Sequence, residues 1–264
     1  MSLEETDRYA RQRRLAVFGE DGQARLRSAT VLVVGCGGLG GLAAELLVRA
    51  GVGRLRLVDP DRVSLVNLHR QILFSEEDAA AHRPKAQSAG ERLRRLNSEV
   101  QVEAREERLE VGNVRHLLEG VSVVVDGSDN LETRYLLNDA CLERGCPWVY
   151  GGAVGTTGMT VALGLPGGPC LRCLFPEPAP PNLCPSCVEV GVLGSLPALV
   201  ASLQVSQALR ILVGDLRPGP LLCCDVWEES FRRLPAHRAP DCPACGAGRR
   251  DFLGPSSTER GEPG

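Results

Sequence analysis

The chain has 264 residues, 43% of them hydrophobic, with 30 Lys+Arg against 33 Asp+Glu and a formal net charge of -3. That length suits one large α/β domain or one domain with appendages, and it can bury a sizeable core. The slightly acidic balance argues against a nucleic-acid or membrane-surface partner, because it offers no basic footprint.

Residues 1–26 are strongly charged and lack an apolar core segment, so they do not read as a secretory signal. Residues 7–27 are arginine-rich and read as helical, broken near Gly19–Gly22. Thr30-Val-Leu-Val-Val34 is a β-branched apolar run ending at glycines, the pattern of a buried strand. A helix is predicted over 38–50, a second strand over 54–59, and a polar loop over 60–74. Pro84 suits the first position of a helix reaching residue 96. A short strand at 100–103, a short helix at 114–118 and an apolar strand at 121–126 follow. Next come a helix over 131–144 and a strand over 147–153. This alternation predicts a doubly wound, Rossmann-like, mainly parallel sheet. Strands over 157–165 and 221–225, with a helix at about 194–213 between them, extend it. The Pro/Cys-rich stretch 166–187 reads as a crossing loop. The uncharged stretches 145–171 and 190–209 are interrupted by glycine, proline and small polar residues, so they read as core rather than membrane spans. Residues 247–264 are polar and rich in Gly, Pro and Ser, and are expected to be a disordered tail.

Gly35-Cys-Gly-Gly-Leu-Gly40 follows a strand and opens a helix, and Asp59 ends the next strand about 20 residues on. Gly35, Gly37, Gly38 and Gly40 would permit a tight turn and close approach of backbone to phosphate at a helix N-terminus. Asp59 would accept from ribose hydroxyls. By itself this pattern also fits a NAD-dependent oxidoreductase. The residues that follow point elsewhere: Asn67, Arg70 and Gln71 after the acidic residue, Lys85 at a helix start, and Asp126 and Asp129 at the end of the strand across the crevice. Cations with a carboxylate suit phosphate chemistry supported by Mg²⁺.

The 11 cysteines are an odd number in a chain without a signal, which argues against a disulfide framework. Three C-x-x-C pairs stand out: Cys170/Cys173, Cys184/Cys187 and Cys242/Cys245. Cys36, Cys141, Cys146, Cys223 and Cys224 sit in apolar surroundings and read as core thiols. Two C-x-x-C knuckles suit structural Zn²⁺. Spacing alone leaves the local quartet of Cys170, Cys173, Cys184 and Cys187 open, since loop closure costs little more over a longer distance.

Together these strings resemble the MoeB/ThiF group, bacterial relatives of ubiquitin-activating enzymes. The matching residues are Arg8-Tyr-Ala-Arg-Gln12, the glycine turn, Asp59 with Ser64-Leu-Val-Asn-Leu-His-Arg-Gln71, Pro84-Lys85, Ser128-Asp-Asn130, both outer knuckles and Cys187-Val-Glu-Val-Gly191. The resemblance implies one adenylating domain over 7–246, with a nucleotide-binding half at about 28–153 and a carrier-binding half at about 154–246. It implies ATP-dependent adenylation of the C-terminal Gly-Gly carboxylate of a ubiquitin-like sulfur carrier, preparing thiocarboxylate formation for molybdenum cofactor, thiamin or tRNA thiolation. Position by position, it places Asp59 on the ribose, Arg70 and Lys85 on phosphates, Asn67 beside the triphosphate and Asp129 on Mg²⁺. Arg11 would reach the ATP site of a partner subunit, so a homodimer is implied. Zn²⁺ would use Cys170, Cys173, Cys242 and Cys245, and Cys187 stands where relatives keep a reactive cysteine. Cys184 is additional to the pattern. A sulfur donor such as a cysteine desulfurase or rhodanese and a cytoplasmic location complete the expectation. A tRNA threonylcarbamoyladenosine dehydratase-like enzyme shares the ATP site and is the alternative within the family, and a non-catalytic nucleotide-binding scaffold is a further one.

Overall fold

The computed structural model describes residues 7–179 and 187–254. Its frame is set by β1 (Thr30–Val34), whose residues are buried from Val31 onward. A strand apolar on both faces belongs in the middle of a sheet with helices above and below. Val31 and Val33 join one core cluster with Ala43, Ala44 and Leu47 of α3 (Gly38–Ala50), Ala86, Ala89 and Leu93 of α5 (Lys85–Leu96), and Ala201, Val205 and Ala208 of α10 (Leu196–Leu212). Leu32 and Val34 join a second with Leu117 of α6 (Val114–Leu117) and Tyr135, Leu136 and Leu137 of α7 (Leu131–Arg144). The alternation of side chains along one strand thus assigns helices to both faces.

The other strands are β2 (Arg54–Val58), β3 (Gln101–Arg105), β4 (Val123–Asp126), β5 (Trp148–Val154), β6 (Thr157–Leu163), β7 (Leu221–Asp225) and β8 (Ser230–Leu234). They form one α/β mixed sheet in the order β3-β2-β1-β4-β5-β6-β7-β8. The five from β3 to β5 run parallel, and β6, β7 and β8 add antiparallel. The chain winds outward from β1 to β3, then returns to place β4 on β1's other edge. The crevice for a ligand opens beyond the strand ends at such a reversal.

Several expected elements differ. The N-terminal helical region is two helices, α1 (Ala10–Arg13) and α2 (Gly19–Ser28), and Gly22 lies buried inside the second. A short α4 (Glu76–Ala80) follows the polar loop and is held by a capping box between Ser75 and Asp78, chemistry too local for hydrophobic periodicity to reveal. Pro84 is the N-cap, with Lys85 the first helical residue. β8 was not expected: Phe231, Arg232, Arg233 and Leu234 are all exposed, so the strand lacks the alternation that marks a half-buried one. The crossing stretch contains α8 (Leu171–Leu174) and α9 (Cys187–Val190).

The expected disordered tail is corrected over 247–254. Leu253 is fully buried, the Phe252 ring lies 4.8 Å from that of Tyr135, and Phe252 N–H donates to Asp139 Oδ2 at 3.0 Å. Two apolar side chains in a polar stretch suffice to bring it onto α7. Residues 255–264 lie outside the described ones. No described helix is long and apolar enough to cross a membrane. The two uncharged stretches instead supply β5, β6 and α10.

Candidate functional site

The glycine turn is built by close packing of backbone on backbone. Gly35 has φ 86° and donates its N–H to Val58 O at 2.8 Å. A Cβ on Gly40 would stand 1.8 Å from Gly35 O, and one on Gly127, just past β4, would stand 2.7 Å from Gly40 Cα. The turn after β1, the first turn of α3 and the end of β4 therefore meet with no room for a methyl group. Gly37 is different, since its nearest neighbour would be Gln71 Nε2 at 3.5 Å. We predict that Gly40→Ala costs about 3 kcal/mol or more of stability, whereas Gly37→Ala folds normally. Chemical denaturation of the two variants checks this, and equal stability would show that the turn yields.

Asp59 closes the turn from β2. Its Oδ2 accepts the Cys36 N–H at 2.6 Å and its Oδ1 the Asp61 N–H at 2.8 Å. The side chain is almost fully buried, and burial pushes its carboxyl above the usual range despite these donors and the nearby Lys85. Lys85 is buried as well, with Nζ 2.9 Å from Oδ2 of the exposed Asp61. Asn67, in a 3₁₀ turn at Leu65–Asn67, accepts from Arg70 Nη2 at 2.8 Å. Arg70 lies over the start of α3: a Cβ on Gly38 would meet Arg70 Cγ at 3.5 Å and Pro197 Cβ, from α10, at 3.1 Å. Gln71 is buried and its Oε1 has no hydrogen-bond partner. A buried amide oxygen left unmatched beside a glycine turn is a position that a ligand donor would satisfy.

Across the crevice, the two aspartates after β4 differ completely. Asp126 is fully buried: Oδ1 accepts from Ser128 N–H at 2.9 Å and Ser128 Oγ at 2.5 Å, and Oδ2 pairs with Arg134 Nε at 3.1 Å. Asp129 is exposed and makes no hydrogen bond or ion pair to another described residue. Asn130 caps α7 by accepting the Thr133 N–H at 2.9 Å. Asp129 is thus the carboxylate free to take a divalent cation, while Asp126 is committed to the fold. Arg134 was missed by sequence reading. It did leave a signal, since an arginine in the first turn of a helix opposes the helix dipole and calls for another reason to be there.

Arg11 is not brought to this site. It is exposed on α1, and its neighbours tie that helix to the far end of α3. Gln12 Nε2 donates to Ala50 O at 2.9 Å, and the Tyr9 ring lies where a Cβ on Gly51 would fall. The thirteen residues of α3 separate the two ends by about 20 Å, beyond the reach of one side chain.

The sulfur atoms of Cys170, Cys173, Cys242 and Cys245 all lie within 4.8 Å of one another, with 3.5 Å between Cys170 and Cys242 and 3.4 Å between Cys173 and Cys245. Tetrahedral arms of about 2.3 Å would set sulfurs roughly 3.8 Å apart, so the group can hold a metal ion. Burial pushes the Cys245 thiol up to about 11, while at Cys242 burial is outweighed by the backbone N–H groups of Cys245 and Ala244, bringing it down to about 7. Cys184 and the side chain of Cys187 lie outside the described residues.

Set beside known proteins, residues 9–244 match the model of the ThiF family. The chain is 48% identical to the sulfur carrier protein adenylyltransferase of Thermus thermophilus, covering 92% of each chain. It is 44% identical to the SAMP-activating enzyme E1 of Haloferax volcanii, covering 96% of this chain and 94% of that one. It is also 44% identical to the adenylyltransferase and sulfurtransferase MOCS3 of Mus musculus, over 93% of this chain and 54% of that longer protein. Among solved structures it resembles E. coli MccB with ATP, at a TM-score of 0.78 and 22% identity, over 92% of this chain and 75% of that one. At that identity the likeness concerns the fold.

Proposed function

The chain belongs to the ThiF family, and on that footing we propose that it is an adenylyltransferase that uses ATP to activate the C-terminal Gly-Gly carboxylate of a ubiquitin-like sulfur carrier. The observations that support this reading are Arg70 and the unmatched Gln71 amide lying against Gly38 and Gly37 of one glycine turn, Lys85 acting electrostatically on Cys36 and Asp59 of that turn, and Ser128, the neighbour of the exposed Asp129, packed against Gly35. The Rossmann-like half supplies the floor, through the glycine stack and the reversal of strand order between β1 and β4. The names of the two relatives matched over nearly their full lengths support the carrier as substrate.

In this mechanism the carrier's carboxylate attacks the α-phosphorus of ATP and pyrophosphate leaves. Both reactants are anionic, so the barrier is lowered chiefly by neutralising the phosphate oxygens. Lys85 leaves Asp61 for a phosphate, Arg70 serves a second phosphate from beside Gly38, and Asn67 holds the Arg70 guanidinium in place. The nucleophile is already ionised near neutral pH, so no general base is required. Asp59 accepts from the ribose while its second oxygen keeps the turn closed. Mg²⁺ on Asp129 would supply further charge neutralisation at the triphosphate. The four thiols would hold a structural Zn²⁺ that pins the chain after β6 to the segment after β8. A reducing, cytoplasmic setting would keep these four thiols available for the metal. Cys187 is the candidate for a covalent step in sulfur transfer from a separate donor.

The test is pyrophosphate exchange into ATP that appears only with a carrier ending in Gly-Gly. Absence of exchange with cognate carriers would exclude the activity. Arg11 supports a homodimer with shared sites, because it stands too far from its own chain's turn to serve there. Mixing Arg11→Ala with Asp129→Ala subunits is expected to restore about a quarter of wild-type exchange. Half of the randomly paired dimers would carry one intact site of two. A fully active monomer in sedimentation and kinetic assays would refute this.

A further inference from the structure

Arg134 makes a three-way connection at the end of the crevice. Its Nε pairs with Asp126 Oδ2 at 3.1 Å, and its Nη2 donates to Ser128 O at 2.9 Å and to Gly151 O at 2.8 Å. Its guanidinium carbon stands 4.9 Å over the Tyr150 ring, and its side chain is 12% exposed. One planar group thus joins the end of β4, the loop that follows it and β5.

The loop so held is Ser128-Asp129-Asn130. On one side Ser128 is fixed through three of its groups: N–H and Oγ to Asp126, and its carbonyl to Arg134. On the other, Asn130 is fixed as the cap of α7. Gln204 of α10 adds a bond from Nε2 to Asp126 O at 2.7 Å. Asp129 lies between two clamped neighbours and is itself exposed and unbonded to any other described residue. A buried ion pair confers little net stability compared with apolar packing of the same volume. Its planar, multi-dentate geometry instead fixes direction.

Resting on the adenylation reading, we propose that Arg134 is a positioning residue: with Asp126 it clamps the 128–130 loop so that Asp129 is presented, pre-oriented, to the divalent cation bound with ATP. Arg134 also attracts Asp129 through space, but the positioning proposed runs through the loop it holds. Without the clamp, Asp129 would have to be ordered at the moment of metal binding, and that cost would appear as weaker coupling between metal and nucleotide.

The experiment is calorimetric titration of a non-hydrolysable ATP analogue into the full chain, with and without Mg²⁺, for wild type, Arg134→Gln and Arg134→Lys. The factor by which Mg²⁺ strengthens nucleotide binding is the readout. It is expected to fall about 10-fold in Arg134→Gln, with metal-free affinity within about 2-fold of wild type. Arg134→Lys keeps a charge for Asp126 but cannot bridge both carbonyls, and its factor is expected to lie between the two. Metal-free binding certifies that each variant is folded; if Arg134→Gln is not, Arg134→Lys decides alone. An unchanged Mg²⁺ factor in a folded variant overturns the clamp while leaving adenylation standing. Equal weakening with and without metal also overturns it, since that marks a merely structural role. Wild-type protein that neither binds the analogue nor exchanges pyrophosphate overturns the adenylation reading itself, and the clamp falls with it.

Discussion

Asp129→Ala is expected to abolish carrier-dependent pyrophosphate exchange, with a loss of about 10³-fold or more. Removing a single preorganised group that stabilises charge in a transition state already costs ~10²–10³, and here the group lost would also anchor the cation. Two features isolate the effect. The side chain is exposed and bonded to no other described residue, so its removal leaves the fold unchanged. The neighbouring Asp126, buried against Arg134 and Ser128, stays in place and cannot substitute without dismantling that network. Exchange should therefore vanish at unchanged melting temperature, with every cognate carrier tested. Undiminished exchange in this variant would remove Asp129 from the metal role.

Cys242→Ala is expected to lose the bound metal and to melt roughly 10 °C lower, whereas Cys187→Ala retains about one zinc per chain and still forms the acyl-adenylate. Structural zinc contributes of order 10 kcal/mol in peptides that fold only with metal. Here two large core clusters hold the sheet by themselves, so the expected cost is about 3–5 kcal/mol, which corresponds to that shift in a domain of this size. The thiol cluster is itself the larger part of a small separate core completed by Ala244, so the loss should be felt first where 170–173 meets 242–245. Metal analysis of the two purified variants reads the outcome directly. Zinc lost from Cys187→Ala and kept in Cys242→Ala would mean that the local quartet is the true one.

The sequence carried the parallel half of the fold because that half is written in long apolar runs. Val31 to Val34 and Val123 to Val125 are buried on both faces, and the helix over 131–144 was legible to the residue. What escaped was held by polar or very local chemistry: the capping box of α4, the exposed β8, and the short helices of the crossing stretch. The site divides in the same way. Glycines, Asp59, Arg70 and Lys85 announce themselves by type and spacing. The division of labour between Asp126 and Asp129 does not, because it depends on Arg134 reaching back across a turn from a helix still to be placed. Nor does spacing choose the cysteine quartet, since bringing 170–173 to 242–245 is an outcome of the strand order.

That strand order also bears on how the protein is made. β1 is central, yet its partner on one edge, β4, leaves the ribosome only after β2 and β3 have been synthesised. At roughly 5–20 residues per second, the valine-rich edge of β1 stays open for several seconds. Over that interval it is a template for pairing with other nascent chains. Production of this protein should therefore be sensitive to chaperone supply and to the rate of translation upstream of residue 123. Soluble yield should rise with added chaperone and fall when translation is slowed between β1 and β4, even though the finished sheet, with β1 enclosed on both sides, carries no trace of the hazard.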